Sequence, residues 1–143
     1  MNRHLFICLV LCLTSAAVGC GSNYTVKGQI VFPDGSPVKD LKGGGVAFES
    51  VETNYSAISS IDSDARFELY SIKVGDGVRP GKYRVVITPP APDTRDAEAG
   101  KKPPPPPPNP IQTKYSSVET SGLEVVVDKS MTDLKLTVEP AGK

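Results

Sequence analysis

The chain has 143 residues, enough for one domain of ordinary size, and its 16 basic and 16 acidic side chains cancel. Nothing in that balance suggests nucleic acid, whose binding demands a basic face. One histidine, His4, and three cysteines, Cys8, Cys12 and Cys20, narrow the available chemistry further.

The N-terminus reads as an address. Arg3 supplies a short positive start, and Leu5 to Leu13 is an unbroken apolar run of signal-peptide length. A membrane-crossing helix needs roughly 20 apolar residues, and this run stops at Thr14-Ser15. The small residues of Ala16-Ala17-Val18-Gly19 then lead directly into Cys20. Val18 and Gly19 meet the lipobox pattern of bacterial lipoproteins, and Ala17 departs from it. The expectation is a signal helix over residues 1–19, lipid attachment at Cys20 by acyl chains of the palmitate kind, and a tether over residues 20–23. An ordinary secretory cut nearby and an uncleaved anchor are the alternatives. One acyl chain holds a protein to a membrane only reversibly, at about 0.8 kcal/mol per buried methylene, whereas two or three chains on one cysteine make attachment effectively permanent. Gly21 stands where an inner-membrane retention signal would place Asp, which favours the outer membrane or cell surface.

Such processing empties the domain of reactive groups. Cys8, Cys12 and His4 leave with the signal, and Cys20 carries lipid. No thiol, disulfide or imidazole is left for a nucleophile, a Ser-His pair or a zinc site. The sequence therefore assigns no catalytic, cofactor-binding or metal-binding residue, and the chain is expected not to be an enzyme. Ser36, Ser59 and Ser60 have no base nearby and read as turn and surface serines.

From residue 24 the chain alternates at period two between dense Gly and Pro punctuation, which predicts an all-β domain over 24–139. Tyr24, Val26, Ile30 and Phe32 share a face, with Thr25, Lys27 and Gln29 opposite. Pro33-Asp34-Gly35 makes a turn, since Pro fixes φ and Gly allows positive φ. Lys42-Gly43-Gly44-Gly45 lacks the ending of a phosphate loop and reads as a flexible turn before a strand at Val46 and Phe48. Ala57 to Ile61 is a third strand. After a turn at Asp62 to Ala65, Phe67 and Leu69 alternate with Arg66 and Glu68. Pro80-Gly81 launches Tyr83, Val85 and Ile87, with Arg84 and Thr88 outward. Leu123, Val125 and Val127 follow, and Leu134, Leu136 and Val138 close the set, with residues 140–143 as a tail. Seven such strands predict an antiparallel two-sheet sandwich, with a small barrel as competitor.

One segment breaks the rhythm. Residues 89–113 hold ten prolines, six of them consecutive from Pro103 to Pro108. Proline cannot donate a backbone hydrogen bond, so this run is polyproline II, a rod of roughly 25 Å to Pro110. It reads as a stiff exposed crossover loop, with a recognition motif as the alternative.

Several stretches carry a family resemblance. Ile61-Asp62-Ser63-Asp64-Ala65-Arg66-Phe67-Glu68-Leu69 resembles the turn and strand of carboxypeptidase regulatory-like domains, with Ala65 in place of the turn glycine. Pro80-Gly81-Lys82-Tyr83-Arg84-Val85-Val86-Ile87 is similar to the strand that follows in them, and Tyr24 to Val38 to their opening hairpin. Lys114-Tyr115 and Thr120-Ser121-Gly122-Leu123 resemble a terminal signature of small predicted lipoproteins abundant in planctomycetes. The resemblance implies an immunoglobulin-like or transthyretin-like seven-stranded sandwich without a known activity. It leaves out the 5-hydroxyisourate hydrolases of that fold, whose site needs histidines and a tyrosine-rich C-terminal motif absent from Val138 to Lys143.

Two ligand ideas are carried forward as alternatives. Asp62 and Asp64 offer hard oxygens to calcium, although Asp in a β-turn ordinarily bonds the backbone two residues on. Tyr55, Tyr70 and Tyr115 are the aromatics open to a glycan in a chain without tryptophan. The leading expectation is a non-catalytic, lipid-anchored cell-envelope protein. It is held at the membrane through Cys20, meets an envelope protein or polymer, and takes no cofactor.

Overall fold

In the strands of this chain, alternation buries an apolar row and leaves a polar row outside. The computed structural model describes residues 22–92 and 105–142. The expected signal helix over residues 1–19, Cys20 and Gly21 lie outside the described residues. The strands are β1 (Val26–Val31), β2 (Gly45–Ser50), β3 (Ser56–Ser60), β4 (Arg66–Glu68), β5 (Gly81–Thr88), β6 (Glu124–Val127) and β7 (Met131–Thr137). They form a three-stranded sheet in the order β4-β1-β7 and a four-stranded sheet in the order β3-β2-β5-β6. The expected all-β, two-sheet architecture is what the described residues adopt.

Both sheets turn their apolar faces onto one core. Ile30, Phe67 and Leu136 from one sheet meet Val46, Phe48 and Val85 from the other. Phe48 is fully buried, with its ring centroid 6.3 Å from Phe67 across the sheets and 6.0 Å from Tyr83 beside it. Tyr83 is the largest fully buried side chain among the described residues, and its hydroxyl donates to the Arg79 carbonyl at 2.8 Å. Burial, with Tyr55 close by, pushes that phenol up to about 12. Tyr83 thus keeps its proton and its bond at any physiological pH.

The sandwich is not wholly antiparallel. β1 and β7 run parallel, from Val26 against Met131 to Val31 against Thr137, while the other ladders are antiparallel. Parallel neighbours need a long connection, and these two strands have the rest of the domain between them. Period-two alternation specifies which side chains face inward and carries no information on strand direction.

Glycine explains the gap in the first apolar row. In β1 the positions Val26 and Ile30 are buried, and Gly28 between them is buried as well. A Cβ on Gly28 would lie 2.6 Å from the Phe67 ring and would also overlap the Leu134 carbonyl. The turn expected before β2 is present at Lys42 and Gly43, and it is closely packed. Gly43 has a φ of 82°, a Cβ on Gly44 would overlap the Thr88 carbonyl oxygen, and Gly45 already belongs to β2.

Strand direction gives the sandwich two distinct ends. At the near end the chain enters through a Tyr24–Val78 bridge, β5 begins, and the 128–130 turn joins β6 to β7. At the far end lie the 33–35 turn, the 62–65 turn and Thr88, where the proline-rich segment leaves β5. The return is anchored: Ile111 is fully buried and bridges Pro140, Gln112 N donates to Glu139 O at 3.2 Å, and Ala141 N donates to Pro110 O at 3.0 Å. Residues 111–113 of the expected loop are therefore built into the fold, and so are Pro140 and Ala141 of the expected tail.

Two glycine substitutions separate crowding from backbone strain. Gly28→Ala is expected to lower stability by about 2–3 kcal/mol, because Phe67 and the Leu134 carbonyl must shift. Gly35→Ala, at a φ of 84° with open space around it, is expected to lose only about 1 kcal/mol. Urea denaturation midpoints check the order, and equal losses would count against the close packing at Gly28.

Candidate functional site

The tether meets the fold at Asn23. Its side-chain amide donates to the Asp76 carbonyl at 2.8 Å, and Tyr24 N donates to Val78 O at 2.7 Å, with the reciprocal bond at 2.8 Å. Cys20 lies three positions before Asn23. Three extended residues span at most about 10 Å. Among the described residues no helix is long and apolar enough to cross a membrane.

Beside Asn23 stands the loop from Ser71 to Gly77, which the sequence reading left unassigned. The Asp76 carboxylate accepts from the backbone amides of Ser71 at 2.8 Å, Ile72 at 2.8 Å and Lys73 at 3.1 Å, and from the Ser71 hydroxyl. Those amides, Ser71 foremost, pull the Asp76 carboxyl down to about 2. The available signal was Asp76 flanked by Gly75 and Gly77, a turn composition that alternation does not register.

Asp62 plays the same part at the far end. Its Oδ1 accepts from the amides of Asp64 and Arg66, both at 2.8 Å, so the turn itself uses this carboxylate. Asp64 faces Lys39 at 3.7 Å. Among the described residues no three His, Cys, Asp or Glu side chains gather as a metal set. Ala65 takes the left-handed conformation that favours glycine, with a φ of 58°, and its methyl is fully buried. Strain of about 1–2 kcal/mol is thereby set against the burial of one methyl, about 0.8 kcal/mol, and a stiffer unfolded chain.

A cleft of about 380 Å³ runs beside β4, lined in part by Lys27, Ser59, Asp62, Arg66, Glu68, Tyr70 and Asp133. Its carboxylates already have partners. Glu68 pairs with Lys27 at 3.0 Å, Asp133 with Lys135 at 3.2 Å, and Asp62 with its turn. Ser59 is not a surface serine. It is buried, donates to the Ser60 carbonyl at 2.8 Å and accepts from Glu68 N at 3.1 Å, stitching β3 of one sheet to β4 of the other. Ser36 is a turn serine as expected, donating to Asp34 through both amide and hydroxyl, and these bonds lower the Asp34 carboxyl.

The three candidate tyrosines do not converge. Tyr115 is buried, and its hydroxyl accepts from Glu139 N at 3.0 Å. Tyr55 is half-buried, edge-on to Tyr83 at 6.2 Å with the Arg79 guanidinium 4.8 Å from its centroid. Only Tyr70 borders the β4 cleft. A second hollow of about 460 Å³ lies across Ala47, Ile58, Tyr70 and Pro89, at the root of the proline-rich segment. Pro105 to Pro108 are exposed.

Comparison of the chain with protein-family models, with curated proteins and with solved structures returns no match.

Two experiments probe the carboxylate scaffolds. Asp62→Ala is expected to lower stability by about 1–2 kcal/mol through two orphaned amides, whereas Ala65→Gly shifts it by no more than about 1 kcal/mol in either direction. Chemical denaturation measures both. Asp76 holds its proton less firmly folded, at about 2, than unfolded, at 3.8. Its contribution is complete above about pH 4 and disappears as pH falls through about 2. Across that window the thermal midpoint of the wild type should fall more steeply than that of Asp76→Asn, and parallel slopes would refute the assignment.

Proposed function

We propose that this protein is a non-catalytic, lipid-anchored module of the cell envelope, held at a membrane through Cys20 and acting by structural or protein-to-protein contact. The observation that carries the reading is how the domain employs its polar groups. Asp34, Asp62 and Asp76 hold loops, Ser59 joins the sheets, and Glu68 and Asp133 lie in ion pairs. A set of side chains occupied with its own framework suits a domain whose action is position and contact. The signal-like N-terminus leading into Cys20, three residues before Asn23, supplies the position in this reading.

Of the two fold families implied by the resemblance, the sheet order favours the transthyretin-like one. Immunoglobulin constant-type domains keep their first two strands in one sheet, whereas β1 and β2 here lie in different sheets. In this reading the partner is an envelope protein or polymer, and Gly21 favours the outer membrane or cell surface.

Intact mass of the membrane-fraction protein, wild type against Cys20→Ser, tests the anchor. The expected result is a lipid-sized increment present in the wild type and absent in the variant. An unmodified soluble wild type would overturn the reading.

A further inference from the structure

Ile72 is 91 % exposed and Val74 is 74 % exposed, more than any other large apolar side chain among the described residues. Single exposed apolar residues are ordinary. These two are different because they flank Lys73 on one short loop whose backbone is tied to Asp76, with Val74 also at the mouth of the β4 cleft. The Asp76 carboxylate ties down the amides of Ser71, Ile72 and Lys73, and Asp76 N donates back to Lys73 O at 3.1 Å. With the backbone tied in this way, Ile72 and Val74 are left facing solvent.

The position of the tip identifies its occupant. Asn23, the last tether residue, donates its side-chain amide to Asp76 itself. A Cβ on Gly77 would lie 3.2 Å from the Asn23 side chain, so loop and tether touch. Cys20 lies within about 10 Å of Asn23 along an extended chain.

We infer that the Ile72-Lys73-Val74 tip inserts into the bilayer interface beside the acyl chains on Cys20. This rests on the lipid-anchor reading and goes beyond it, because an acyl tether alone leaves a domain free to swivel. Ile72 and Val74 enter the headgroup and acyl boundary, as the apolar face of an interfacial segment does, while Lys73 meets lipid phosphates. Tether and tip together fix the orientation: strands point away from the membrane, and Thr88 and Ile111, where the proline-rich segment leaves and rejoins the fold, stand at the outer end.

The test uses the full chain, lipidated in cells, purified, and reconstituted into vesicles of phosphatidylethanolamine and phosphatidylglycerol. With Cys20 acylated the mature chain offers no other thiol, so Ile72→Cys and, at the far end, Asp40→Cys each take one environment-sensitive fluorophore. Quenching by nitroxide groups on the lipid acyl chains is expected to be at least about fivefold stronger at 72 than at 40. Val74→Cys carrying the label should lose most of its quenching when Ile72→Asp is added, with an unchanged thermal midpoint showing that the variant folds. Equal quenching at 72 and 40 on a protein whose mass includes the lipid overturns the insertion and leaves the anchor standing. A lipid-free mass at Cys20 overturns both. An emission shift that grows with protein concentration in detergent, without quenching in vesicles, assigns the tip to a second copy of the chain and also overturns the insertion.

Discussion

The fold is closed by the pairing of its two ends. β1 lies in the middle of its sheet, bonded to β4 on one side and to β7 on the other. The first strand is thus held by the last, and between them in the chain lie all four strands of the second sheet. No cysteine follows residue 20, so no disulfide supports this closure. It depends on backbone bonds and on the apolar faces beneath them. Gly28 is where these requirements meet: β1 lies close enough to the Leu134 carbonyl for its ladder while the Phe67 ring crosses over the same residue. A side chain at this point would force apart the strand pairing or the core.

Around that closure the loops are built by one recurring device. Asp34, Asp62 and Asp76 each turn a carboxylate oxygen back onto amides a few residues away. Charge-assisted bonds of this kind are among the stronger ones available to an exposed turn. They give short loops a defined shape without help from a large core. The same device operates at both ends of the sandwich, at Asp34 and Asp62 on one and at Asp76 on the other. Lys114 contributes a related tie at the proline return, where its bond to Glu139 raises the ammonium above its ordinary value.

How much of this was legible in the sequence follows from what each signal encodes. Alternation located the strands because burial of one face has period two, and Val46, Phe48, Tyr83 and Val85 lie inward as that period requires. Strand direction is not encoded in the period, so the parallel β7 could not be read. Ser59 and Tyr115 looked like surface residues because a polar atom alone does not reveal a buried partner. Their partners, Glu68 N and Glu139 N, are 9 and 24 residues away. Gly28 appeared only as a missing apolar residue, since the ring that excludes a side chain comes from a different strand. Asp62 was readable as a turn residue because its bonds are local. Asp76 obeys the same local logic, but its neighbours Ile72 and Val74 resemble a strand pattern while facing solvent.

The parallel pairing of β1 and β7 also determines how the domain responds to load. Because both strands run from the near end to the far end, tension between Asn23 and Ala141 draws them along their own axes in opposite directions. The ladder from Val26 to Val31 is then strained in shear, with its bonds loaded together. An antiparallel arrangement of the same two strands would place both attachment points at one end and let the bonds open singly, like a zip. A domain held at its N-terminal side and pulled from its C-terminal side has its mechanically firmest element between those points.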